Sequence, residues 1–437
     1  VFERVVYKEF SNMAPISVGI IGMGGFAGSH QLAVKQLEAT GACRLVCSCD
    51  PDLSKFKDKM SEWEYRRRGI KVFDNYLAML DYCAAELDMV VIPTPVPLHA
   101  PMHRACIERG LAVYLEKPPT LNYQELDEML EVEARAEKLT QVGFNHIVEG
   151  ERRKMKQRLV AGEFGQLREV GYRGLWERSN NYYSRAPWAG RLMLNGRLVL
   201  DSGMGNAMAH YVHNILFWGG MRDVLDWAPV EWAEAELYRA HSIQGMDTSF
   251  VRAGLGGGVR LTIVMSHACW QPERMEWLVC DKARIFVKEE GYRIAWHDGR
   301  QETIPIPLAP DTPMTKLKEN HCAYYAYLRG EAERPLTRLE DTRPFVQLCD
   351  LVYVAAGRIH QISPQYIQRK VQPEDQAEFL QIDDLSQATD CFIQNGEWPS
   401  QQGLPWAGPG GRAAISELPR LYETVERMVA EAGMVDA

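Results

Sequence analysis

Between residues 16 and 144 the chain alternates short, continuously apolar runs with longer stretches whose apolar residues recur every three or four positions. The runs at 16–21, 44–49, 89–92, 112–115 and 140–144, with a short one at 71–73, are bounded by glycine, proline or charged residues. Runs of this kind mark strands buried on both faces of a parallel sheet. The stretches between them, 27–40, 54–67, 75–86, 99–109 and 122–138, read as helices. The last opens on Asn122 as an N-cap, with Glu125 three residues on. Alternating strands and helices over this span predict a doubly wound α/β domain.

After residue 150 the pattern changes. Residues 151–162 read as a helix ending at Gly162. Strand-like stretches then dominate at 168–176, 232–239, 248–253, 258–266, 276–280 and 283–288, interrupted by a helix at roughly 205–218. Helices return at 314–329, 341–360 and about 415–432, and a Pro/Gly/Gln-rich loop covers 399–411. Runs of strands with few helices predict a mostly antiparallel, open-sheet α+β domain. The expected organisation is an extension over 1–15 with no apolar signal segment, a dinucleotide-type domain over 16–148, and the α+β domain over 149–437. The C-terminal helices of the latter are expected to pack back on the first domain.

Composition narrows the function. The 437 residues are 46% hydrophobic and 24% charged, as in soluble globular proteins, and 58 acidic against 49 basic side chains leave a net charge of −9. This balance argues against nucleic acid or an anionic membrane as partner. The run Arg66-Arg67-Arg68 reads as a solvated face. Ten scattered cysteines are too few for a disulfide scaffold and read as reduced thiols of a cytoplasmic protein.

Chemistry enters at the end of the first strand. Gly22-Met-Gly24-Gly25-Phe26-Ala27-Gly28 opens the first helix, where glycines let the backbone approach a pyrophosphate and the helix N-terminus offers N–H groups. Asp50, 23 residues past Ala27 and at the end of the second strand, can accept from a ribose 2′-OH. Its carboxylate would repel a 2′-phosphate, so NAD is expected over NADP, although Lys55 lies nearby. Neither His210 with His213 nor His99 with His103 has a further ligand at metal spacing, so no metal site is expected.

Ile92-Pro-Thr94-Pro95, His99, Glu116-Lys117-Pro118 and Val142-Gly-Phe-Asn145 fall in an order that resembles the Gfo/Idh/MocA oxidoreductases. The resemblance implies that Thr94, Pro95, His99, Glu116, Lys117 and Asn145 join Gly22, Gly24, Gly25, Phe26, Ala27 and Asp50 around NAD. It places Lys117 between nicotinamide and substrate, with a following Lys117–Pro118 bond that can be cis. The family's Asp-x-x-x-His signature aligns with Asn206 and His210, so asparagine stands where relatives commonly carry aspartate. Four-residue spacing pairs Asn206 with His210 on one helical face. His210 is then the expected general base, Asn206 its orienting partner or a substrate ligand, with Asp201 a substitute from the loop and His213 structural.

The stretch from Trp176 to Arg191 is dense in aromatics and arginine. Tyr183, Arg185 and Trp188 are read there as a platform for a sugar, with an interdomain or oligomer contact as the alternative. The resemblance implies hydride transfer between NAD and a secondary hydroxyl or ketone of a sugar, polyol or glycoside, in a homodimer or homotetramer. Two alternatives stay open: a glycosidase that uses bound NAD transiently, and a non-catalytic dinucleotide-binding sensor.

Overall fold

The computed structural model describes residues 14–306 and 312–433, so the expected extension lies, up to residue 13, outside the described residues. Strands β1 (Ile16–Ile21), β2 (Cys43–Cys49), β3 (Lys71–Phe73), β4 (Met89–Ile92), β5 (Ala112–Leu115) and β6 (Gln141–Val142) form one sheet in the order β3-β2-β1-β4-β5-β6. Every neighbouring pair is parallel. Helices α1 (Ala27–Glu38), α2 (Lys57–Glu62), α3 (Tyr65–Arg68), α4 (Tyr76–Cys83), α5 (His99–Ile107) and α6 (Tyr123–Glu133) supply the crossovers. Each residue of β4 and β5 is buried, which is why these strands read as unbroken apolar runs. Because the order reverses between β1 and β4, a crevice opens beyond their C-terminal ends.

Two helices differ from the expected bounds for local reasons. The stretch 54–67 splits into a 3-10 turn, α2 and α3: Phe56 (φ −115°) separates the turn from α2, and Glu64, at a left-handed φ of 58°, separates α2 from α3. Helix α6 does start on an Asn122 cap, whose side chain accepts the Gln124 N–H, but it stops at Glu133. The buried Glu133 carboxylate there accepts the Thr140 N–H and turns the chain toward β6.

Helix α7 (Gly150–Val160) leads into a second unit, followed by β7 (Leu167–Leu175), α8 (Asn180–Tyr183), a small ladder of β8 (Met193–Leu194) with β9 (Arg197–Leu198), and α9 (Ala209–Gly219). Strands β10 (Val230–Arg239), β11 (Thr248–Leu255), β12 (Val259–Ser266), β13 (Glu273–Cys280), β14 (Ala283–Lys288), β15 (Gly291–Trp296) and β16 (Gln301–Pro305) then build most of a ten-stranded sheet. Helices α10 (Thr312–Leu328) and α11 (Arg343–Ala356) follow, then β17 (His360–Gln361), the hairpin β18 (Ile367–Val371) and β19 (Glu378–Ile382), α12 (Leu385–Asn395), β20 (Gly411–Ala414) and α13 (Leu421–Ala432).

The large sheet runs β16-β15-β14-β13-β7-β12-β11-β10-β17, with β20 also on β10. Only β12 with β7 and β10 with β17 are parallel among these pairs. On one face Tyr172 of β7 stacks flat on Tyr211 of α9. The other face is not wholly open. Leu175, Tyr238, Phe250 and Val264 pack there against Leu380, Ile382, Leu385 and Phe392 of the hairpin and α12. Arg173 adds an ion pair at 2.6 Å to Asp390.

A single division at 148/149 does not describe the chain. Residues 312–342 belong with residues 14–154, and residues 155–306 with 343–433. The reason is packing: Cys322, Tyr324, Tyr325 and Tyr327 of α10 bury into the core formed by β1, β2, β4 and β5 of the first unit. Strands β15 and β16, the β18–β19 hairpin and α12 were absent from the sequence reading, and the 399–411 loop contains a 3-10 turn at Pro399–Gln401.

Candidate active site

In the first unit the predicted cofactor residues gather at the C-terminal ends of the strands. Gly22 (φ 118°) and Gly25 (φ 53°) adopt backbone angles that other residues avoid, and they lead into α1 at Ala27. No acidic side chain occupies the first turn of α1, and the Phe26 N-cap makes no side-chain bond, so that helix end suits an anion. Phe26 itself is exposed. At the end of β2, Asp50 is half-buried; Oδ2 accepts the Met23 N–H at 3.0 Å and Oδ1 the Asp52 N–H at 3.1 Å. The carboxylate is thereby tied to the glycine loop. Lys55, the nearby cation, pairs instead with Asp52 at 2.7 Å.

Beyond β4, Thr94 and Pro95 begin the turn into α5, and His99 is fully buried beneath it. His99 Nε2 meets the Thr94 carbonyl at 2.7 Å and Nδ1 the Pro118 carbonyl at 2.9 Å. Burial pushes its imidazole below the usual range, against the pull of these carbonyls. Its two ring nitrogens thus face the carbonyls of two loops, and a neutral imidazole donates to one of them. Beyond β5 come Glu116, Lys117 and Pro118, with the Lys117–Pro118 bond cis. Lys117 is partly exposed, whereas the Glu116 carboxylate turns into the core toward His30. Asn145, past β6, accepts from Asn320 Nδ2 at 3.3 Å.

In the second unit Asn206 and His210, expected on one helix face, fall in two different helical segments. Gly203–Ala207 is a single π-helical turn, and the regular helix α9 starts only at Ala209. Asn206 Nδ2 donates to Asp201 Oδ1 at 2.9 Å. Asp201 is buried, accepts the Gly190 N–H at 2.7 Å on its other oxygen and lies 3.5 Å from Arg185. Burial raises its carboxyl above the usual range despite the Gly190 N–H, Arg185 and Asn206. An asparagine at 206 is thus explained: an amide can donate to this carboxylate where an aspartate would oppose it. His210 is half-buried in the first turn of α9, and His213 is packed against Trp227 and Phe345.

The aromatic stretch is organised around arginines. Arg185 lies 3.7 Å from the Tyr182 ring centroid and 4.7 Å from that of Trp188, and Arg178 lies 4.0 Å from that of Trp176. Guanidinium groups therefore occupy one face each of the Tyr182, Trp188 and Trp176 rings. The Tyr183 hydroxyl meets His267 Nδ1 at 2.8 Å, and its ring lies 4.9 Å from His241. His241 Nδ1 meets the buried Asp247 at 2.7 Å. Against the cost of burial, His241 and two backbone N–H groups hold the Asp247 carboxyl below its usual range. Burial, helped by the charge of Arg178, pushes the His267 imidazole down to about 3. Sequence reasoning missed the His241–Asp247 pair and the role of His267. His241 and Asp247 lie in the connection between β10 and β11, and His267 follows β12, so no apolar alternation marks them. Among the described residues, no cluster of three or more His, Cys, Asp or Glu is placed to hold a metal, and no helix is long and apolar enough to cross a membrane.

Comparison with known proteins agrees with the first unit. Residues 16–144 match the family model described as an oxidoreductase family with an NAD-binding Rossmann fold. Inositol 2-dehydrogenase 4 of Saccharopolyspora erythraea is 32% identical over 152 residues, 35% of this chain and 43% of that protein. An inositol 2-dehydrogenase of Rubrobacter xylanophilus is 29% identical over 165 residues, 38% and 44% of the two chains. The matched segments span less than half the length of these relatives. Among solved structures, the WlbA dehydrogenase of Bordetella pertussis, in complex with NADH and UDP-GlcNAcA, is similar with a TM-score of 0.62 and 20% identity. The likeness covers 78% of this chain and 96% of that one, and shows a shared fold.

Proposed function

We propose that this chain, whose residues 16–144 match the model of the Gfo/Idh/MocA oxidoreductase family with its NAD-binding Rossmann fold, transfers a hydride between NAD and a secondary hydroxyl or ketone of a polyol or sugar. One observation carries the reading. The glycine turn, Asp50 and the Glu116-Lys117-Pro118 turn converge on the C-terminal ends of β1, β2 and β5, next to the point where the strand order reverses. The polyol class is supported by the inositol 2-dehydrogenases to which the first unit is similar.

Bound at that crevice, NAD supplies the hydride acceptor. The chain's residues do the rest. The α1 N-terminus and glycine loop receive the pyrophosphate, and Asp50 accepts from the ribose hydroxyl. Lys117 sets a positive charge against the oxygen that becomes an alkoxide, and His210 accepts the hydroxyl proton. Arg185, held by Tyr182, Trp188 and Asp201, offers donors to substrate oxygens. A homodimer or homotetramer is part of the same reading.

The test is a panel of polyols, sugars and glycosides with NAD and NADP, followed by NADH absorbance. Net NADH with a polyol or sugar supports the proposal. Cleavage of a glycoside without net NADH, or no turnover at all, rejects it. Two variants refine the picture. NAD(H) should bind more tightly than NADP(H) in calorimetry, and Asp50→Ala should shrink that preference by roughly tenfold to a hundredfold, the size of a hydrogen bond to a charged group. Equal affinities in the wild type would show that Asp50 does not face the ribose. Trp188→Ala, which frees one side of Arg185, should raise the substrate KM severalfold while leaving NAD affinity unchanged. An unchanged KM with an altered oligomer in size exclusion would assign the aromatic stretch to an interface.

A further inference from the structure

Behind the Glu116-Lys117-Pro118 turn, a line of polar groups crosses the core of the first unit. Glu116 Oε1 lies 3.0 Å from His30 Nε2 on α1. His30 Nδ1 lies 3.0 Å from His321 Nε2 on α10, and His321 Nδ1 lies 3.5 Å from the Tyr325 hydroxyl. Both imidazoles are fully buried and Glu116 is 5% exposed. The second carboxylate oxygen, Oε2, accepts the Lys117 backbone N–H at 3.0 Å.

The surroundings are shaped to this line. Tyr114 of β5 stacks on His321, with centroids 4.7 Å apart and planes within 13°, and meets His30 edge-on. A methyl group added at Gly143 would stand 2.6 Å from Glu116 Oε1, so the glycine before Phe144 leaves room for the carboxylate. Buried polar groups without partners are costly, and a neutral imidazole has one N–H and one lone pair. With Glu116 ionised, one assignment uses every site. Tyr325 donates to His321, His321 Nε2–H donates to His30 Nδ1, and His30 Nε2–H donates to Glu116.

We propose that His30 and His321 are positioning residues for the Glu116-Lys117-Pro118 turn. They anchor the Glu116 carboxylate so that its free oxygen fixes the Lys117 backbone. The step from a fixed backbone to catalysis rests on Lys117 acting as proposed above; the fixing itself does not. His30→Leu removes both bonds. His30→Gln keeps them in kind, because its amide N–H can donate to Glu116 and its carbonyl can accept from His321.

Amide hydrogen exchange at Lys117, read in the full chain, separates the two levels. Exchange should quicken about tenfold in His30→Leu, the effect of losing one hydrogen bond, and stay near wild type in His30→Gln. His321→Phe, which preserves the stack on Tyr114, should fall between them. In turnover, His30→Leu should lower kcat more than it raises the KM for NAD. His30→Gln should restore both. Unchanged Lys117 exchange in a folded His30→Leu overturns the proposal, as does equal loss in His30→Leu and His30→Gln. Altered exchange in a protein that turns over no polyol or sugar would reject the enzymatic reading and leave the positioning line standing.

Discussion

His210→Ala should lower kcat by about 10²–10⁴-fold, the usual size of a general-base contribution, with NAD affinity nearly intact. The wild-type rate of alcohol oxidation should rise with pH through the range where imidazole loses its proton, and this dependence should vanish in the variant. Full activity in His210→Ala, with activity lost in Lys117→Ala, would move the base elsewhere. The geometry around Asn206 makes the companion variant informative. Asn206→Asp sets a second carboxyl where the amide now donates to Asp201 at 2.9 Å. Burial already raises the Asp201 carboxyl, so two carboxylates there cannot both ionise and the pair must hold a proton. Asn206→Asp should therefore lower Tm and the stability near neutral pH. A family-like aspartate that raised activity without loss of stability would show that Asp201 is not its partner.

The first unit was legible because parallel strands covered on both faces must be apolar throughout, and β4 and β5 are so without exception. The glycine turn after β1 was legible for a different reason: a tight turn leaves glycine little alternative, and Gly22 and Gly25 show positive φ angles. Helix α10 was legible as a helix but not as a part of the first unit. Periodicity gives an element's face, not the surface it meets, and the tyrosines that carry α10 into the first core look like any apolar stripe. The hairpin of β18 and β19 was hidden because four of the five residues of β18 are exposed and polar or charged residues fill both faces, so no alternation survives. At the site, four-residue spacing presumes a regular helix. The π-turn over Gly203–Ala207 changes which side chains share a face, and Asn206 turns to Asp201. His30 and His321 left only a faint mark, polar residues on helix faces that also bury Gln31 and Asn320 among apolar ones.

The other large effect is structural. Lys156 is fully buried on α7, and its ammonium donates to the carbonyls of Phe217 and Gly220, with those of Trp218 and Asp226 at 3.5 Å. These carbonyls belong to the C-terminus of α9 and the turn beyond it, where a helix lacks partners for its last acceptors and where positive charge is favoured. Lys156→Met fills the volume but leaves the acceptors buried and unpaired. The expected loss is about 2–4 kcal/mol, or roughly 4–16 °C in Tm for a unit of this size. The loss should depend on pH. Burial pushes the Lys156 amine down to about 7, opposed by Asp226 and Asp223, whereas an unfolded lysine titrates near 10.4. Between those values the unfolded chain binds the additional proton, so this residue's contribution to stability rises with pH from about 7 to about 10. Urea unfolding at the two ends of that window should therefore show wild type gaining on Lys156→Met as pH rises. A constant difference would mean that the carbonyl cage keeps the amine protonated throughout, and a negligible one that the end of α9 finds other donors.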